Sequence, residues 1–422
     1  MEKIVVKGGN PLKGTISIKG SKNSVLPILT AALLASDGVS VIHDVPKLSD
    51  VFIIIDILEH LGAKCSWDGN TVTIDSTKIT RLDANLDCVG DMRASFLLLG
   101  PLLARFKSSE ILQPGGCAIG VRPIDLHLKG LEALGADFAQ THGIIKGSTQ
   151  GLKGARIYLD FPSVGATENL MTAGALAEGL TILENVAEEP EIVDLANFLN
   201  NMGAKITGVG TNVIKIKGVP SLKGTVHTVI PDRIEAGTYM IAVGAAGGDA
   251  FFENTISDHL KPVVAKLREA GVTVIEEPNG IRVISEGSKF CKGLYIKTMP
   301  YPGFPTDMQS QLLAMLLCSN GRSYVTETIF ESRFQHIEEF RKMGADIILA
   351  GNTVALTGVD KIYGANVNAT DLRAGAALVI AGLYAEGETH VGNIHFIDRG
   401  YDGLVENLKA LGADIKRVKF DE

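Results

Sequence analysis

The chain has 422 residues, a length that predicts two or three domains and an ample hydrophobic core. Hydrophobic residues make up 45% of it and charged residues 21%, which is typical of an ordinary globular protein in water. The net charge of −8 argues against a general nucleic-acid binder, because such a protein needs a basic face. A local basic pocket for a small anion remains possible.

The amino-terminal residues enter a strand pattern directly, so we expect no signal peptide. The apolar runs are interrupted by glycine and proline and are too short to span a bilayer. The five cysteines are scattered and lack CxxC spacing, which favours reduced thiols in the cytoplasm over disulfides or a zinc site. No Walker A loop, HExxH motif or strand-associated GxGxxG motif is present.

A short amphipathic helix that ends in glycine recurs six times along the chain. The glycines are Gly62, Gly135, Gly203, Gly271, Gly344 and Gly412. Their spacing of 68 or 73 residues is too regular to be chance. Each copy has an Ala- and Leu-rich helix upstream, which is apolar nearly all round and should be buried, and a period-2 run downstream. The pattern predicts six β-α-β-α-β-β units in two sets of three, and therefore two domains of like fold.

Polar and charged residues open the Ala- and Leu-rich helices. We expect helix capping by Asp91, Thr167, Thr306 and Asp371. Four cations at helix starts oppose the helix dipole and therefore need anionic partners. They are Lys22, Arg93, Arg233 and Arg373. Helix N-termini that converge with such cations are typical of a site for phosphates and carboxylates.

The loop at residues 113–123 (QPGGCAIGVRP) contains one thiol, Cys117, and one fixed cation, Arg122. It could be a surface loop with an inert cysteine, but among the six units it is the one that combines a long loop with a cysteine. A thiol near cations can act as acid or nucleophile, and a carboxylate at a helix start, such as Asp307, can act as base. Several fixed cations are required to bind phosphate. These residues alone leave open a transferase or a lyase acting on phosphorylated anions.

Residues 116–123 (GCAIGVRP), Asp125-Leu126-His127 and Gly20-Ser21-Lys22-Asn23, together with the sixfold repeat, resemble the enolpyruvyl transferase family, and within it the UDP-N-acetylglucosamine branch. The resemblance covers the whole chain. It implies an α/β fold of two inverse α/β barrel domains with pseudo-threefold symmetry. Domain 1 would span residues 22–229, domain 2 would span 1–21 plus 230–422, and the active site would lie in the cleft between them.

The resemblance also implies an activity. The enolpyruvyl group of phosphoenolpyruvate would pass to the 3-hydroxyl of UDP-N-acetylglucosamine with release of phosphate, by addition and elimination. This is the first committed step of peptidoglycan precursor synthesis. No metal, flavin or nicotinamide is implied, and we expect neither a nucleic-acid partner nor a membrane span.

Each matching position then has an implied role. Cys117 would protonate the methylene carbon of phosphoenolpyruvate, form a covalent adduct with that substrate and react with fosfomycin-like epoxides. Asp307 would accept or orient the proton of the sugar hydroxyl. Phosphoenolpyruvate would be bound by Lys22, Asn23, Arg122 and Arg399, of which Lys22 and Arg399 are also expected to be catalytic. The sugar nucleotide would be bound by Asn23, Arg93, Arg122, Pro123, Ile124, Asp125, Leu126, Ser163, Val164, Gly165, Asp307 and Ile329. Supporting roles fall to Arg333, Asp371 and Arg373.

The family often has a lysine before Ser163, near the diphosphate, whereas Phe161 and Pro162 stand there in this chain. Two other functions remain open. A shikimate-pathway enolpyruvyl transferase would have the same repeated fold but should lack the Cys117 loop. A non-catalytic paralogue with a regulatory role is the other, and the intact cations and acids of the predicted site argue against it.

Overall fold

The computed structural model describes residues 2–84, 93–113, 119–120 and 124–419, and of Arg93 the backbone alone. Its strands are β1 (Glu2–Lys7), β2 (Leu12–Ser17), β3 (Ala35–Asp37), β4 (Ser40–His43), β5 (Lys64–Asp68), β6 (Thr71–Asp75), β7 (Asp83–Ala84), β8 (Ser108–Leu112), β9 (Ala136–Thr141), β10 (Ile144–Thr149), β11 (Arg156–Tyr158), β12 (Leu180–Glu184), β13 (Lys205–Thr207), β14 (Val213–Lys217), β15 (Leu222–Lys223), β16 (Val226–Thr228), β17 (Gly248–Glu253), β18 (Thr273–Glu277), β19 (Gly280–Ser285), β20 (Tyr295–Lys297), β21 (Arg322–Thr326), β22 (Asp346–Ala350), β23 (Thr353–Thr357), β24 (Asn366–Asn368), β25 (Glu388–Gly392) and β26 (Asp414–Lys419).

The α-helices are α1 (Lys22–Ala31), α2 (Ser49–Leu61), α3 (Leu99–Phe106), α4 (Asp125–Ala133), α5 (Val164–Leu176), α6 (Pro190–Asn201), α7 (Arg233–Ala246), α8 (Lys261–Ala270), α9 (Gln309–Leu316), α10 (Ile337–Lys342), α11 (Leu372–Gly382) and α12 (Leu404–Ala410). Short 3-10 turns occur at Ala32–Leu34, Arg93–Leu98, Ser257–Leu260, Ser288–Phe290, Thr306–Met308 and Ile394–Arg399. None of the helices in the described ranges is long and apolar enough to cross a membrane.

The chain divides into two compact units. Over the described residues, unit 1 comprises 2–19, 119–120 and 231–419, and unit 2 comprises 20–84, 93–113 and 124–230. Each unit has its own continuous hydrophobic core. Because the amino-terminal strands belong to unit 1, the chain passes into unit 2 after residue 19 and returns to unit 1 after residue 230.

Each unit contains three four-stranded sheets of the same design. In unit 2 the strand orders are β16-β4-β6-β5, β7-β8-β10-β9 and β11-β12-β14-β13, with a separate β15-β3 pair. In unit 1 they are β2-β17-β19-β18, β20-β21-β23-β22 and β24-β25-β1-β26. In every four-stranded sheet the first two strands are parallel and the remaining pairs are antiparallel. The described strands thus form separate open sheets and not a closed barrel.

With its helices, each sheet forms one β-α-β-α-β-β repeat. We number them by their buried helices: repeats 1 to 3 contain α1, α3 and α5, and repeats 4 to 6 contain α7, α9 and α11. Parallel neighbours require a crossover, which the buried helix provides in repeats 2, 3, 5 and 6. Repeat 1 takes its first strand, β16, from the end of unit 2, whereas repeat 4 takes β2 and repeat 6 takes β1 from the amino-terminal part of unit 1. Strands that lie next to the two crossings therefore complete the sheets of both units.

The six recurring glycines end the second helix of each repeat in the left-handed region. Their φ angles are 108° at Gly62, 95° at Gly135, 109° at Gly203, 98° at Gly271, 95° at Gly344 and 96° at Gly412. Residues with a Cβ rarely adopt this conformation, so glycine recurs wherever the turn recurs.

The Ala- and Leu-rich helices form the interior of each unit, as their composition predicts. In α7, α9 and α11 nearly every residue is buried, and the three helices pack on one another. The amphipathic helices bury one face: α8 buries Val263, Val264, Leu267 and Ala270 and exposes charged residues.

We call the second strand in each of the six strand orders (β4, β8, β12, β17, β21 and β25) the central strand. Three connections after central strands are longer than the others, and one of them, 393–403 between β25 and α12 in repeat 6, has eleven residues. Twelve residues, 113–124, separate β8 from α4 in repeat 2, as the sequence indicates. Ten residues, 327–336, separate β21 from α10 in repeat 5, so repeat 2 does not stand alone in this respect. The cysteine remains particular to the repeat 2 connection.

Helix capping differs in part from the prediction. Asp371 caps α11, because its carboxylate accepts two backbone N–H groups at 2.8 and 3.0 Å. Ser163, and not Thr167, caps α5, and Thr167 lies inside that helix. Thr306 opens a 3-10 turn, but its hydroxyl bonds other side chains instead of the turn. Asp91 lies outside the described residues.

Candidate active site

Lys22, the first residue of α1, is buried and has a carboxylate partner. Its Nζ lies 2.8 Å from Asp50 Oδ2, and Asp50 is in the first turn of α2. A cation at a helix start opposes the dipole, and Asp50 offsets that effect from within the same repeat. Asn23 follows Lys22 and is half-buried. The ion pair fixes Lys22 in position, as a phosphate or carboxylate ligand requires.

Six of the sugar-nucleotide residues predicted in unit 2 lie at two adjacent helix starts. Ile124, Asp125 and Leu126 open α4, and Ser163, Val164 and Gly165 open α5. His127 joins the two helices, since its Nδ1 is 2.8 Å from Asn169 Nδ2 and a Cβ on Gly165 would lie 3.1 Å from its Cε1. Glycine at position 165 permits this close approach. Two helix N-termini side by side can bind phosphate oxygens.

Asp307 is the centre of a charged cluster in unit 1. Its Oδ1 lies 2.8 Å from Arg333, and its Oδ2 accepts a hydrogen bond of 3.1 Å from Arg373 Nη2. Its side chain is 27% exposed, whereas those of Arg333 and Arg373 are 4% and 3% exposed. Three residues from three different elements thus meet at one carboxylate. A carboxylate that is held in this way, and whose side chain is partly exposed, can accept a hydroxyl proton.

Arg373 is fixed by its surroundings as well as by Asp307. Its guanidinium lies 5.4 Å from the ring centroid of Tyr401. Burial works against the charge, but the neighbouring Tyr401 and Asp307 raise the pKa of Arg373. Burial also raises the pKa of Tyr401, whose hydroxyl oxygen lies 3.0 Å from that of Thr238. Arg373 is therefore a permanent cation beside the carboxylate.

Ile329 lies in the connection 327–336 and is half-buried. Its N–H donates to Glu327 Oε1 at 2.8 Å. Further along this connection, Ser332 N donates to Ile119 O at 3.1 Å, and a Cβ on Gly120 would lie 2.6 Å from Glu331 Oε2. The described end of the Cys117 loop therefore contacts the segment that contains Ile329.

Arg399 ends the 3-10 turn Ile394–Arg399 and is half-buried. The segment that follows is anchored by Lys19, whose Nζ lies 3.0 Å from Asp402 Oδ1 and donates to Asp402 O at 3.1 Å. Arg399 therefore lies shortly before Asp402, which Lys19 holds in place.

Cys117, Arg122 and Pro123 lie outside the described residues, as does the side chain of Arg93. The thiols that the structure does describe, Cys65, Cys291 and Cys318, differ from a reactive cysteine. Burial raises the pKa of Cys65 to about 12 and the pKa values of Cys291 and Cys318 to about 11. A protonated, enclosed thiol is a poor nucleophile. Within residues 2–84, 93–113, 119–120 and 124–419, no three His, Cys, Asp or Glu side chains are grouped to hold a metal ion.

Sequence analysis missed two acidic residues at this site. Asp50 reads as an ordinary acid in the first turn of a helix, and nothing local indicates its pairing with Lys22. Glu327 could have been found by aligning the repeats, since it follows β21 where three other repeats have asparagine after the central strand. Its contacts are described below.

The fold and the repeated loops agree with comparisons to known proteins. The sequence model of the EPSP synthase family (3-phosphoshikimate 1-carboxyvinyltransferase) matches residues 6–408. The chain therefore belongs to this family of carboxyvinyltransferases, which confirms the predicted enolpyruvyl transferase membership.

Curated relatives narrow the resemblance. The chain is 55% identical over 419 residues to UDP-N-acetylglucosamine 1-carboxyvinyltransferase 1 of Halalkalibacterium halodurans, covering 99% of this chain and 95% of the relative. It is 54% identical over 415 residues to the protein of the same name from Caldanaerobacter subterraneus subsp. tengcongensis, covering 98% and 99%.

Solved structures show the same fold. The enolpyruvyl transferase NikO from Streptomyces tendae superposes with a TM-score of 0.89 at 27% identity, over 99% of this chain and 98% of that one. EPSP synthase from Acinetobacter baumannii superposes with a TM-score of 0.78 at 19% identity, over 99% and 100%. The predicted α/β, two-domain fold class is thus confirmed.

Proposed function

We propose that this chain transfers the enolpyruvyl group of phosphoenolpyruvate to the 3-hydroxyl of UDP-N-acetylglucosamine and releases phosphate. The observation that carries the proposal is the identity of 54–55% over nearly the whole chain to relatives that bear the name of this activity. The reaction serves peptidoglycan precursor synthesis, and its substrates place it in the cytoplasm.

Asp307 accepts the proton of the sugar hydroxyl. Its contacts with Arg333 and Arg373 support this role, because they fix both carboxylate oxygens while leaving the side chain partly exposed. A positioned base contributes ~10²–10⁴-fold to the rate. Asn23, the residues that open α4 and α5, and Ile329 bind the sugar nucleotide, together with Arg93, Arg122 and Pro123.

Cys117 donates a proton to the methylene carbon of phosphoenolpyruvate, and the sugar oxygen bonds to the adjacent carbon as its own proton passes to Asp307. In the second step the methyl group formed returns a proton to the Cys117 thiolate, the electron pair of that C–H bond forms the C=C bond, and the carbon–oxygen bond to phosphate breaks so that phosphate leaves with that bonding pair. Lys22, Arg122 and Arg399 bind the phosphate and carboxylate of phosphoenolpyruvate. Fixed cations offset the charge of the departing phosphate.

Cys117 also forms the covalent adduct with phosphoenolpyruvate and is alkylated by fosfomycin-like epoxides. Support comes from the sequence GCAIGVRP around it and from the raised pKa values of Cys65, Cys291 and Cys318. Epoxide treatment followed by peptide mass spectrometry should find the adduct on Cys117. Modification of another cysteine, with full loss of activity, would contradict this assignment.

Phosphate release with phosphoenolpyruvate and either UDP-N-acetylglucosamine or shikimate 3-phosphate tests the proposed activity. We expect release with the sugar nucleotide alone of the two acceptors. Release with shikimate 3-phosphate instead would identify the shikimate-pathway reaction. Release with neither acceptor would indicate the non-catalytic paralogue.

A further inference from the structure

The residue after the central strand has a recurring role in the repeats. It adopts a left-handed conformation in four of them, at Asp44, Asn185, Asn254 and Asn393, with φ between 55° and 59°. Asn185 and Asn254 donate from Nδ2 to the backbone carbonyl of the residue that follows the first strand, at 2.6 and 2.7 Å. Asn393 makes a longer bond of the same kind, at 3.5 Å. The side chain thus connects the ends of the two parallel strands.

In repeat 5 this position is occupied by Glu327, which is buried and is not left-handed. Its Oε1 accepts a hydrogen bond of 2.6 Å from Thr298, the residue after β20. The carboxylate therefore connects the same two strand ends that asparagine connects elsewhere. It differs from asparagine in having four lone-pair directions and no donor.

Glu327 also binds the backbone of the connection 327–336 through Oε1. Oε1 also accepts the N–H groups of Ile329 at 2.8 Å and Phe330 at 3.3 Å. These two bonds fix the backbone at Ile329, and the same connection contacts Ile119 and Gly120 farther along. One carboxylate therefore anchors the start of the segment that Ile119 and Gly120 contact.

The other oxygen of Glu327, Oε2, is linked to Asp307 through Thr306 and Arg333. Thr306 Oγ1 donates to Glu327 Oε2 at 2.8 Å and accepts from Arg333 Nη1 at 2.9 Å. Arg333 in turn lies 2.8 Å from Asp307 Oδ1. Because the Thr306 hydroxyl proton is committed to Glu327, its oxygen lone pair faces the guanidinium. The carboxylate thus sets the orientation of the arginine that holds Asp307.

We propose that Glu327 is a positioning residue for the transfer reaction, orienting Asp307 through Thr306 and Arg333 and fixing the backbone at Ile329. The proposal rests on the proposed function above. All four contacts of the Glu327 carboxylate are donors, three to Oε1 and one to Oε2, so glutamine at this position would aim its NH₂ group at Thr306 or at the other three donors. A displacement of about 1 Å at the base is enough to lower the rate about a hundredfold.

Steady-state kinetics of Glu327→Gln, with phosphoenolpyruvate and UDP-N-acetylglucosamine as substrates, test this inference. We expect kcat to fall by about tenfold to a hundredfold and KM for the sugar nucleotide to rise severalfold. KM for phosphoenolpyruvate should stay within about twofold, because the four hydrogen bonds of the Glu327 carboxylate go to Thr298, Thr306, Ile329 and Phe330 and not to the described residues assigned to that substrate, Lys22, Asn23 and Arg399. Thr306→Val interrupts the Asp307 connection alone, so kcat should fall while KM for the sugar nucleotide changes little.

Ser288→Ala is the matched control for a merely structural loss. Ser288 is buried in unit 1, where its hydroxyl donates to Met315 O at 2.6 Å and accepts from Cys318 N at 3.2 Å. This variant should lower Tm, as Glu327→Gln does, and leave kcat and both KM values unchanged.

Wild-type kinetics for Glu327→Gln and Thr306→Val would overturn the inference and leave the proposed function intact. So would an equal kinetic loss in Ser288→Ala, or an equal change in both KM values. Failure of the wild-type chain to release phosphate would instead remove the proposed function, and the positioning role with it. Should Glu327→Gln not fold, Thr306→Val with Ser288→Ala decides the matter.

Discussion

Two aspartates, one in each unit, each have several polar partners but differ in burial. In unit 2, Asp194 accepts hydrogen bonds from Ser24 Oγ and from Ile230 N at 3.2 Å, and its Oδ1 lies 2.9 Å from His227 Nε2. In unit 1, Asp307 lies between Arg333 and Arg373. The Asp194 side chain is 3% exposed and that of Asp307 is 27% exposed.

The comparison separates a structural group from a chemical one. Ser24, Asp194 and His227 are the residue types of a nucleophile triad, but here the aspartate stands in the middle, whereas in a triad the histidine joins nucleophile and acid. Asp194 is enclosed, so its hydrogen bonds stabilise α1, α6 and the segment at Ile230, where the chain leaves unit 2. Asp307 has two fixed arginines and an exposed side as well. Burial, more than residue type, distinguishes the two.

The largest expected effect comes from Asp307→Asn. The amide cannot accept the sugar proton, so kcat should fall by ~10²–10⁴-fold. Phosphate release measures it, and circular dichroism checks that the variant is folded. Asp194→Asn is the comparison variant, with turnover per folded molecule close to that of the wild type. Equal loss of turnover in the two variants would remove the distinction between these carboxylates.

Asp194→Ala should act on stability instead. It leaves the Ser24 hydroxyl, the His227 ring and the Ile230 N–H without their shared acceptor, and breaking a buried pair costs about 3 kcal/mol or more. Urea unfolding measures the loss. Asp249→Ala is the matched control, because Asp249 pairs with Arg282 at 2.7 Å on an exposed surface, where an ion pair contributes little to stability. Similar losses in both would show that the Asp194 contacts add nothing special.

Glu235 is another buried carboxylate, and it accepts a long hydrogen bond of 3.4 Å from Lys19 N. Burial, with Asp232 adding to it, raises the pKa of Glu235 from 4.5 to about 8. Between these values the folded chain keeps a proton that the unfolded chain has lost, so this contribution to stability falls as pH rises from 4.5 to 8. Glu235→Gln should reduce the decline by a few kcal/mol at most, measured by unfolding at pH 5 and pH 8. An unchanged pH dependence would show that Glu235 ionises in the folded chain as it does in the unfolded one.

We expect the smallest effect on stability from a change at His336. Its surroundings differ from those of His227, which pairs with Asp194. Both ring nitrogens of His336 are buried and lack hydrogen-bond partners among the described residues, and burial lowers its pKa to about 4. Between pH 6.5 and 4 the unfolded chain binds a proton that the folded chain refuses, so stability falls as pH falls through this range. His336→Leu should weaken that acid sensitivity in thermal melts at pH 4.5 and 7. A variant with the wild-type difference in Tm would contradict the assignment.

Much of the fold was predictable because it is local and repeated. The spacing of Gly62 and its five counterparts reflects one turn that needs a left-handed residue, and apolar composition identified the buried helices. The assignment of residues 1–21 to the same domain as 230–422 was an expectation from the family resemblance. Periodicity alone does not show that β1, β2 and β16 complete repeats 6, 4 and 1.

The site was predictable as a set of residue types and family positions, and its internal contacts were not. Asp307, Arg333 and Arg373 belong to three elements, and Lys22 meets Asp50 across two helices. Glu327 escaped notice because a glutamate after a strand is unremarkable until Thr298, Thr306 and the N–H groups of the next turn are seen to share it.

By itself, the sequence determined the sixfold repeat, the buried and amphipathic helices, the left-handed glycine turns and the membership in the carboxyvinyltransferase family. These depend on residue spacing within one repeat, where chain neighbours are also neighbours in space. Only the tertiary structure decided which carboxylate is enclosed and which is exposed, and which donors each one shares. Such contacts join residues 26 to 170 positions apart, as Asp307 with Arg333 and Ser24 with Asp194 show, and no local pattern encodes a pairing across that distance.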